Sequence, residues 1–334
     1  MLSAHPIPGG RRREERAARL APRAGLTLVE LMIVVVLLGV VGAGIVTVLL
    51  RQQRFYGGAT DVIATRQQIR QIAALLPSDL RGISSVGGDI YTMSDSSIEF
   101  RSMFGGSVVC VSNVAASWVS TPPLTVVRGS AFTSWSATPV AHDSVAIYDN
   151  GPTTKAGDDV WRFHELAAVA VQNGSAAYCP TTSGLVQAAD ISPLNKMYQL
   201  LLTPAPSATI AVGAAIRFFR LVHYDLYRAA DGNWYLGYYS CKKGQTPLCN
   251  AVQPIGGPFN SYATPAVGTS GVQFSYFDST GIALDPSVAA NRSAVARIRL
   301  VVRGTGQNLG SLSGMGFQTF KDSLMVDVGL RNRQ

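Results

Sequence analysis

The sequence feature that most constrains the fold is an apolar run from Leu26 to Leu50, which contains a single charged residue, Glu30. As an α-helix, a run of this length would span about 37 Å, more than the roughly 30 Å hydrocarbon core of a bilayer. The run therefore predicts a membrane-spanning helix. An isolated carboxylate inside such a helix costs a few kcal/mol, so Glu30 needs a specific reason to be there.

Residues 1–25 precede the run and hold six Arg and two Glu, a net charge of +4 out of +8 for the whole chain. Positive charges before a membrane helix keep that end in the cytoplasm. We therefore expect a single-pass protein of the cytoplasmic (inner) membrane, with its head outside. Nucleic acid is not indicated as a partner, because half of the excess charge lies in this leader rather than on a folded surface.

The N-terminal segment has three interpretations: a secretory signal peptide, a plain signal anchor, or a family signature. A secretory signal peptide would be cut at a small-x-small site after the run, but "RQQRFYGGATDV" follows it. A plain signal anchor explains the arginines and the run but leaves Glu30 unexplained. The third interpretation explains all three features, because "GLTLVELMIVVVLLGVV" resembles the N-terminal signature of type IV pilins and type II secretion pseudopilins.

The resemblance implies how the leader is processed. A prepilin peptidase would remove residues 1–25 by cutting after Gly25 and would then methylate the new N-terminus at Leu26. Leu26 replaces the Phe or Met that is commoner in the family. Glu30 falls at the fifth mature position, where the family has its glutamate.

The new amine at Leu26 supplies a physical reason for Glu30. A carboxylate beside an ammonium offsets much of the cost of burying either charge. The amine could belong to the same helix, one turn away, or to the next subunit of a filament, where the pair would set the axial register. Gly39, Gly42 and Gly44 interrupt the run, and we expect them to allow close helix packing or, as the resemblance suggests, local melting on assembly.

Residues 51–80 continue the helical pattern in amphipathic form, with Pro77 as the predicted end of the helix. The segment 81–334 has short strands between Gly, Pro and Ser clusters and predicts a β-rich head. Its clearest hairpin is 216–241, and further predicted strands include 107–112 and 124–128. The fold class is α+β, a long helix on a mainly antiparallel sheet, with a possible inserted region around 105–200.

The order of the late strands is similar to that of the larger minor pilins of the PilW and pseudopilin J type. Four Cys lie in the head, and an even count in an exported domain favours disulfides. Cys241 and Cys249 close the short loop "CKKGQTPLC", so we favour a bridge there, which leaves Cys110 with Cys179. Three connectivities are possible.

Catalytic chemistry is not indicated by the head. His142, His164 and His223 belong to no metalloprotease motif, and no nucleotide-binding loop occurs. The loop "YDNGPTTKAGDD" gathers oxygen ligands that could hold calcium, but a solvated turn explains it more simply. The aromatic side chains of 234–239 could stack on sugar or DNA, but cross-strand packing is simpler. We expect Arg297, Arg299 and Arg303 to face solvent or a neighbouring subunit.

The sequence thus predicts a minor pilin-like subunit, a substrate of an enzyme rather than an enzyme, with no cofactor and no metal. The resemblance implies as partners the prepilin peptidase, other major and minor pilins or pseudopilins, and the inner-membrane assembly platform. The subunit would end in a cell-surface or periplasmic filament. The alternative is a membrane-anchored protein whose head binds a surface, sugar or DNA.

Overall fold

The computed structural model describes residues 25, 27–127, 129–153, 157–240, 252–312 and 316–330, and for residues 307–312 and 316–319 it describes the backbone alone. The chain divides into two compact units, residues 1–54 and 55–334. A single continuous helix, α1 (Leu28–Leu80), begins in the first unit and ends in the second.

The second half of α1 packs into the core of the head. From Thr65 onwards its buried face repeats every three or four residues, as an amphipathic helix requires. The buried residues of the helix are Gly58, Thr65, Ile69, Ile72, Leu76, Pro77 and Leu80. Each fully buried aliphatic side chain contributes about 1.5–3 kcal/mol. The predicted end at Pro77 is wrong, because a proline in the last turn removes only one hydrogen bond and the helix continues to Leu80.

The head consists of antiparallel strands, which confirms the predicted α+β class. The first eight strands are β1 (Ile90–Met93), β2 (Ser97–Val108), β3 (Val111–Asn113), β4 (Trp118–Thr121), β5 (Ser134–Trp135), β6 (Ser144–Asp149), β7 (Val160–Gln172) and β8 (Met197–Thr203). The others are β9 (Ala215–Arg228), β10 (Trp234–Ser240), β11 (Gln253–Phe259), β12 (Val272–Phe277), β13 (Ala283–Leu284), β14 (Arg297–Leu312) and β15 (Gly316–Gly329).

Strand β9 organises the larger sheet, which has the order β1-β2-β9-β6-β7-β8-β4-β3 within the described chain. One edge of β9 pairs with β2 over residues 215–225 of β9. The other edge pairs with β6 over residues 216–219 and with β10 over residues 222–228. The predicted hairpin is therefore confirmed as β9–β10. A second sheet has the order β13-β12-β14-β15.

The two ends of β9 lie in different hydrophobic cores. The C-terminal end contributes Val222, Tyr224 and Leu226 to a core shared with α1 and the second sheet. The N-terminal end contributes Ile216 and Phe218 to a core whose buried members lie between residues 109 and 218. Strand β9 thus contributes to both cores, and the inserted region around 105–200 stays a prediction.

Two of the predicted strands are wrong. The segment 107–112 is divided between β2 and β3, because Val109 donates to Ala214 while Cys110 donates to Ser120, so the chain changes strand partner there. The segment 124–128 is not a strand over its described residues 124–127. It follows two prolines, and the Val127 amide donates to the Asp190 side chain at 2.7 Å instead of to a neighbouring strand.

A disulfide joins Cys110 to Cys179 across a sequence separation of 69 residues. Both cysteines are buried beside Val186 and Met197. Cys241 and Cys249 lie outside the described residues, so the bridge favoured between them stays a prediction.

The Cys110–Cys179 bridge is expected to stabilise the head strongly, because a loop of this length loses much chain entropy when it is closed in the unfolded state. Replacing both cysteines by alanine should lower the free energy of unfolding by about 2–5 kcal/mol. Denaturant unfolding of the full chain in detergent would measure the loss. A double variant at Cys241 and Cys249 is the comparison, and an unchanged unfolding midpoint for Cys110→Ala/Cys179→Ala would contradict the prediction.

Candidate functional site

The first turn of α1 is closed by a reciprocal pair of side chains. The Thr27 amide and the Thr27 hydroxyl donate to Glu30 Oε2 at 3.0 and 3.1 Å, and the Glu30 amide is 3.2 Å from Thr27 Oγ1, which accepts from it. This is a capping box, which satisfies amides that a helix leaves unpaired at its start. Glu30 therefore has a local partner within the chain.

This second role of Glu30 was not among the sequence-based predictions. The signal was present, because Thr-x-x-Glu before an apolar run is the sequence pattern of a capping box. Leu26 lies outside the described residues, so the pairing of its amine with Glu30 stays a prediction. The two roles are compatible, since a carboxylate has several acceptor positions.

The glycines of this segment have open surroundings. A Cβ placed on Gly25, Gly39, Gly42 or Gly44 would meet no atom of the described residues within 4 Å. The helix is continuous through the last three, although each glycine lowers helix stability by about 1 kcal/mol relative to alanine. Nothing within the described chain therefore requires a small residue at these positions.

The first unit exposes an unusually apolar surface. The large hydrophobic side chains between Leu28 and Leu50 are about half or more exposed, and none is buried. Of the described helices, α1 is long and apolar enough to cross a membrane at this end. Water does not stabilise such a helix alone, so residues 28–50 require a lipid or protein environment.

A model of one protein family matches this segment. Residues 20–46 match the prokaryotic N-terminal methylation motif. This match supports the type IV pilin and pseudopilin family for the chain. The motif supports a type IV pilin-like protein that is processed by prepilin peptidase, and it points to a structural subunit. The apolar helix that follows suggests a membrane anchor. No curated protein and no solved structure matches the chain.

The histidines of the pilin head lie in separate places. His164 is buried, and its Nδ1 is 2.8 Å from the carbonyl oxygen of Pro204. Burial lowers the pKa of His164 below its ordinary value. His142 contacts Glu165 at 2.8 Å, and His223 contacts Glu99 at 3.2 Å. The described residues contain no group of three or more His, Cys, Asp or Glu placed to hold a metal ion.

The acidic loop after β6 uses its carboxylates internally. Asp149 is paired with Arg162, Asp158 accepts from Thr153 at 2.7 Å, and Asp159 accepts from the Tyr148 hydroxyl at 2.8 Å. Burial raises the pKa of Asp149, but hydrogen bonds, chiefly from Thr209 and Arg162, outweigh it and lower the pKa below its ordinary value. These contacts agree with a structured turn.

The aromatic side chains of β10 contact the neighbouring strand. Tyr238 lies 5.2 Å from Tyr224 between ring centroids, and Tyr239 stacks on His223 at 4.5 Å. Tyr235 faces Tyr227 across the hairpin, and Trp234 packs against the core. Cross-strand pairing thus accounts for this aromatic cluster.

The arginines of β14 differ in their partners. Arg299 binds both oxygens of Asp327, at 2.8 and 3.0 Å, and Arg297 lies 3.9 Å from the same carboxylate. Arg303 instead contacts only uncharged acceptors among the described residues, the carbonyl of Ser270 and the Gln273 side chain. The residues between them on the other face, such as Leu300, are buried in the core.

Proposed function

We propose that this chain is a minor pilin-like subunit of a type IV pilus or a type II secretion pseudopilus. Prepilin peptidase would cut between Gly25 and Leu26 and methylate Leu26, and the mature subunit would join the filament and aid the initiation of its assembly. The observation that carries the proposal is the methylation motif at residues 20–46. The bare apolar helix that follows it supports the same conclusion.

Assembly would be driven by burial of that helix. A large apolar side chain that is transferred from water into the filament core stabilises assembly by about 1.5–3 kcal/mol. A side chain that is transferred from lipid instead stabilises assembly through dispersion contacts between the packed helices. Gly39, Gly42 and Gly44 would let neighbouring helices approach closely, which explains small residues that the chain itself does not require. Glu30 would then pair with an N-terminal amine and set the register between subunits.

The size of the head supports a minor role. The predicted head, residues 81–334, has 254 residues, and a head of that size would crowd every position of a regular filament. Low copy number or a place at the tip follows from this crowding. The likeness of its late strands to minor pilins of the PilW and pseudopilin J type points the same way.

Deletion of the chain tests the proposal. Filaments sheared from the parent cells should contain the mature subunit in low amount, and the deletion strain should show at least tenfold fewer filaments. Restoring the wild-type chain should restore them. Loss of pili indicates the pilus, whereas loss of secreted proteins with normal pili indicates the secretion system. Normal pili together with normal secretion in the deletion strain would contradict the proposal.

The alternative, a head that binds a surface, sugar or DNA through residues 231–241, is not favoured. The tyrosines of β10 are engaged across the hairpin, and Tyr235 donates to Asp231 at 2.7 Å. Over its described residues, 231–240, no specific observation indicates a ligand.

A further inference from the structure

A cavity of about 760 Å³ lies between the segment that follows β11 and the β14–β15 hairpin. Backbone pairing explains much of its lining. Arg303 lies opposite Ser323, and Thr305 lies opposite Lys321. Directly paired residues share one face of a sheet, so two cationic and two hydroxyl side chains line the same side of the hairpin.

Arg303 is held in place without a counterion. Its Nη1 donates to the carbonyl of Ser270 at 3.0 Å and to Gln273 Oε1 at 3.2 Å. Across the described residues no carboxylate pairs with it, and its Nε and Nη2 have no acceptor. Burial lowers the pKa of Arg303 below its ordinary value. The Nε–Nη2 edge is the fork that binds both oxygens of a carboxylate.

The rest of the cavity also favours an anion. Lys321 is exposed and pairs with no acid in the part of the chain that the structure describes. Asp322, the one acidic residue of the described lining, is already bound by Arg66 Nε at 3.2 Å. An anionic ligand would therefore meet two cations without displacing a salt bridge.

The remaining lining indicates the class of anion. Ser261, Thr269 and Ser323 line the cavity, and their hydroxyls have no hydrogen-bond partner among the described residues. Phe259, the one large apolar residue of the described lining, is 7% exposed, so an apolar peptide side chain would find little surface. Hydroxyls both donate and accept, which matches the hydroxyls of a sugar ring.

We propose that this cavity binds an acidic sugar. Its carboxylate would lie on the free edge of Arg303 with Lys321 beside it, and its ring hydroxyls would contact the side-chain hydroxyls of Ser261, Thr269 and Ser323. The site would give the filament subunit a means of holding an acidic polysaccharide, and it does not depend on which filament the subunit joins.

Calorimetry on the full-length protein in detergent tests this proposal, with digalacturonate as the probe. Saturable binding is expected, and a neutral galactose disaccharide should bind at least tenfold more weakly. Arg303→Lys keeps the charge but removes the fork, so the Kd should rise roughly tenfold or more. Lys321→Glu reverses an exposed charge and should also weaken binding roughly tenfold.

Arg299→Gln is the matched control, because Arg299 shares the strand and the face but is already bound to Asp327. Its Kd should equal that of the wild type. If Arg303→Lys fails to fold, Lys321→Glu alone decides, since that side chain is exposed. The proposal is overturned by no saturable binding, by equal affinity for the neutral sugar, tetraglutamate or inorganic phosphate, or by an unchanged Kd for Lys321→Glu.

Discussion

Replacing Gly25 with valine is expected to leave the precursor uncut and to keep it out of filaments. The peptidase proposed to act here would cut after this glycine, and a β-branched side chain would add bulk directly beside the bond to be cut. The chain itself does not oppose the change, because a Cβ at Gly25 meets no described atom within 4 Å. Any loss of processing would therefore report the fit to the peptidase and not misfolding.

The measurement is the mass and N-terminal sequence of the membrane-bound protein. The Gly25→Val chain should keep the 25 leader residues, whereas the wild type should begin at Leu26 with a methylated amine. Gly57→Ala is a matched control, because Gly57 also has open surroundings and lies outside the motif match. A Gly25→Val chain that still begins at Leu26 would show that the cleavage site is elsewhere.

Glu30→Gln is expected to remove the subunit from filaments while leaving insertion and cleavage intact. Breaking a buried pair of charges costs about 3–5 kcal/mol, because one charge is left uncompensated. In the filament, the methylated amine at Leu26 would be that charge. Incorporation should fall roughly a hundredfold or more, as measured by the amount of subunit in sheared filaments relative to the membrane.

Because Glu30 is part of the capping box, Glu30→Gln separates the effect of its charge from the effect of its capping role, which Glu30→Ala would not do. Glutamine keeps the oxygen that accepts from Thr27 but lacks the charge, whereas Thr27→Val keeps the charge and removes the capping hydroxyl. Loss of a cap costs about 0.5–2 kcal/mol, so Thr27→Val should reduce incorporation far less than Glu30→Gln. The opposite order would show that Glu30 acts as a cap and does not pair with the amine.

Local features of this chain could be predicted well because their signals are contiguous. The leader, the apolar run and Glu30 lie within the first 50 residues, and the family motif matches residues 20–46 of that segment. The β9–β10 hairpin was equally accessible, since Asp231 and Gly232 mark a tight turn between two alternating strands. The capping box of Thr27 and Glu30 was also a local signal.

Long-range pairing could not be predicted in the same way. The strand predicted at 124–128 is wrong because two prolines precede the segment, and because the side chain of Asp190, which is distant in sequence, accepts the hydrogen bond of the Val127 amide. The division of β9 between two cores depends on which strands reach its second edge, β6 or β10. Single-sequence patterns carry no record of such partners.

The sequence by itself determined the long apolar helix, its methylation motif and the α+β class, because hydrophobic periodicity and charge order act between neighbours along the chain. Only the tertiary structure decided that Arg299 is neutralised by Asp327 whereas Arg303, four residues away on the same face, lines a cavity with Lys321. The physical reason is that strand register, which depends on the whole sheet, sets which charges meet across β14 and β15.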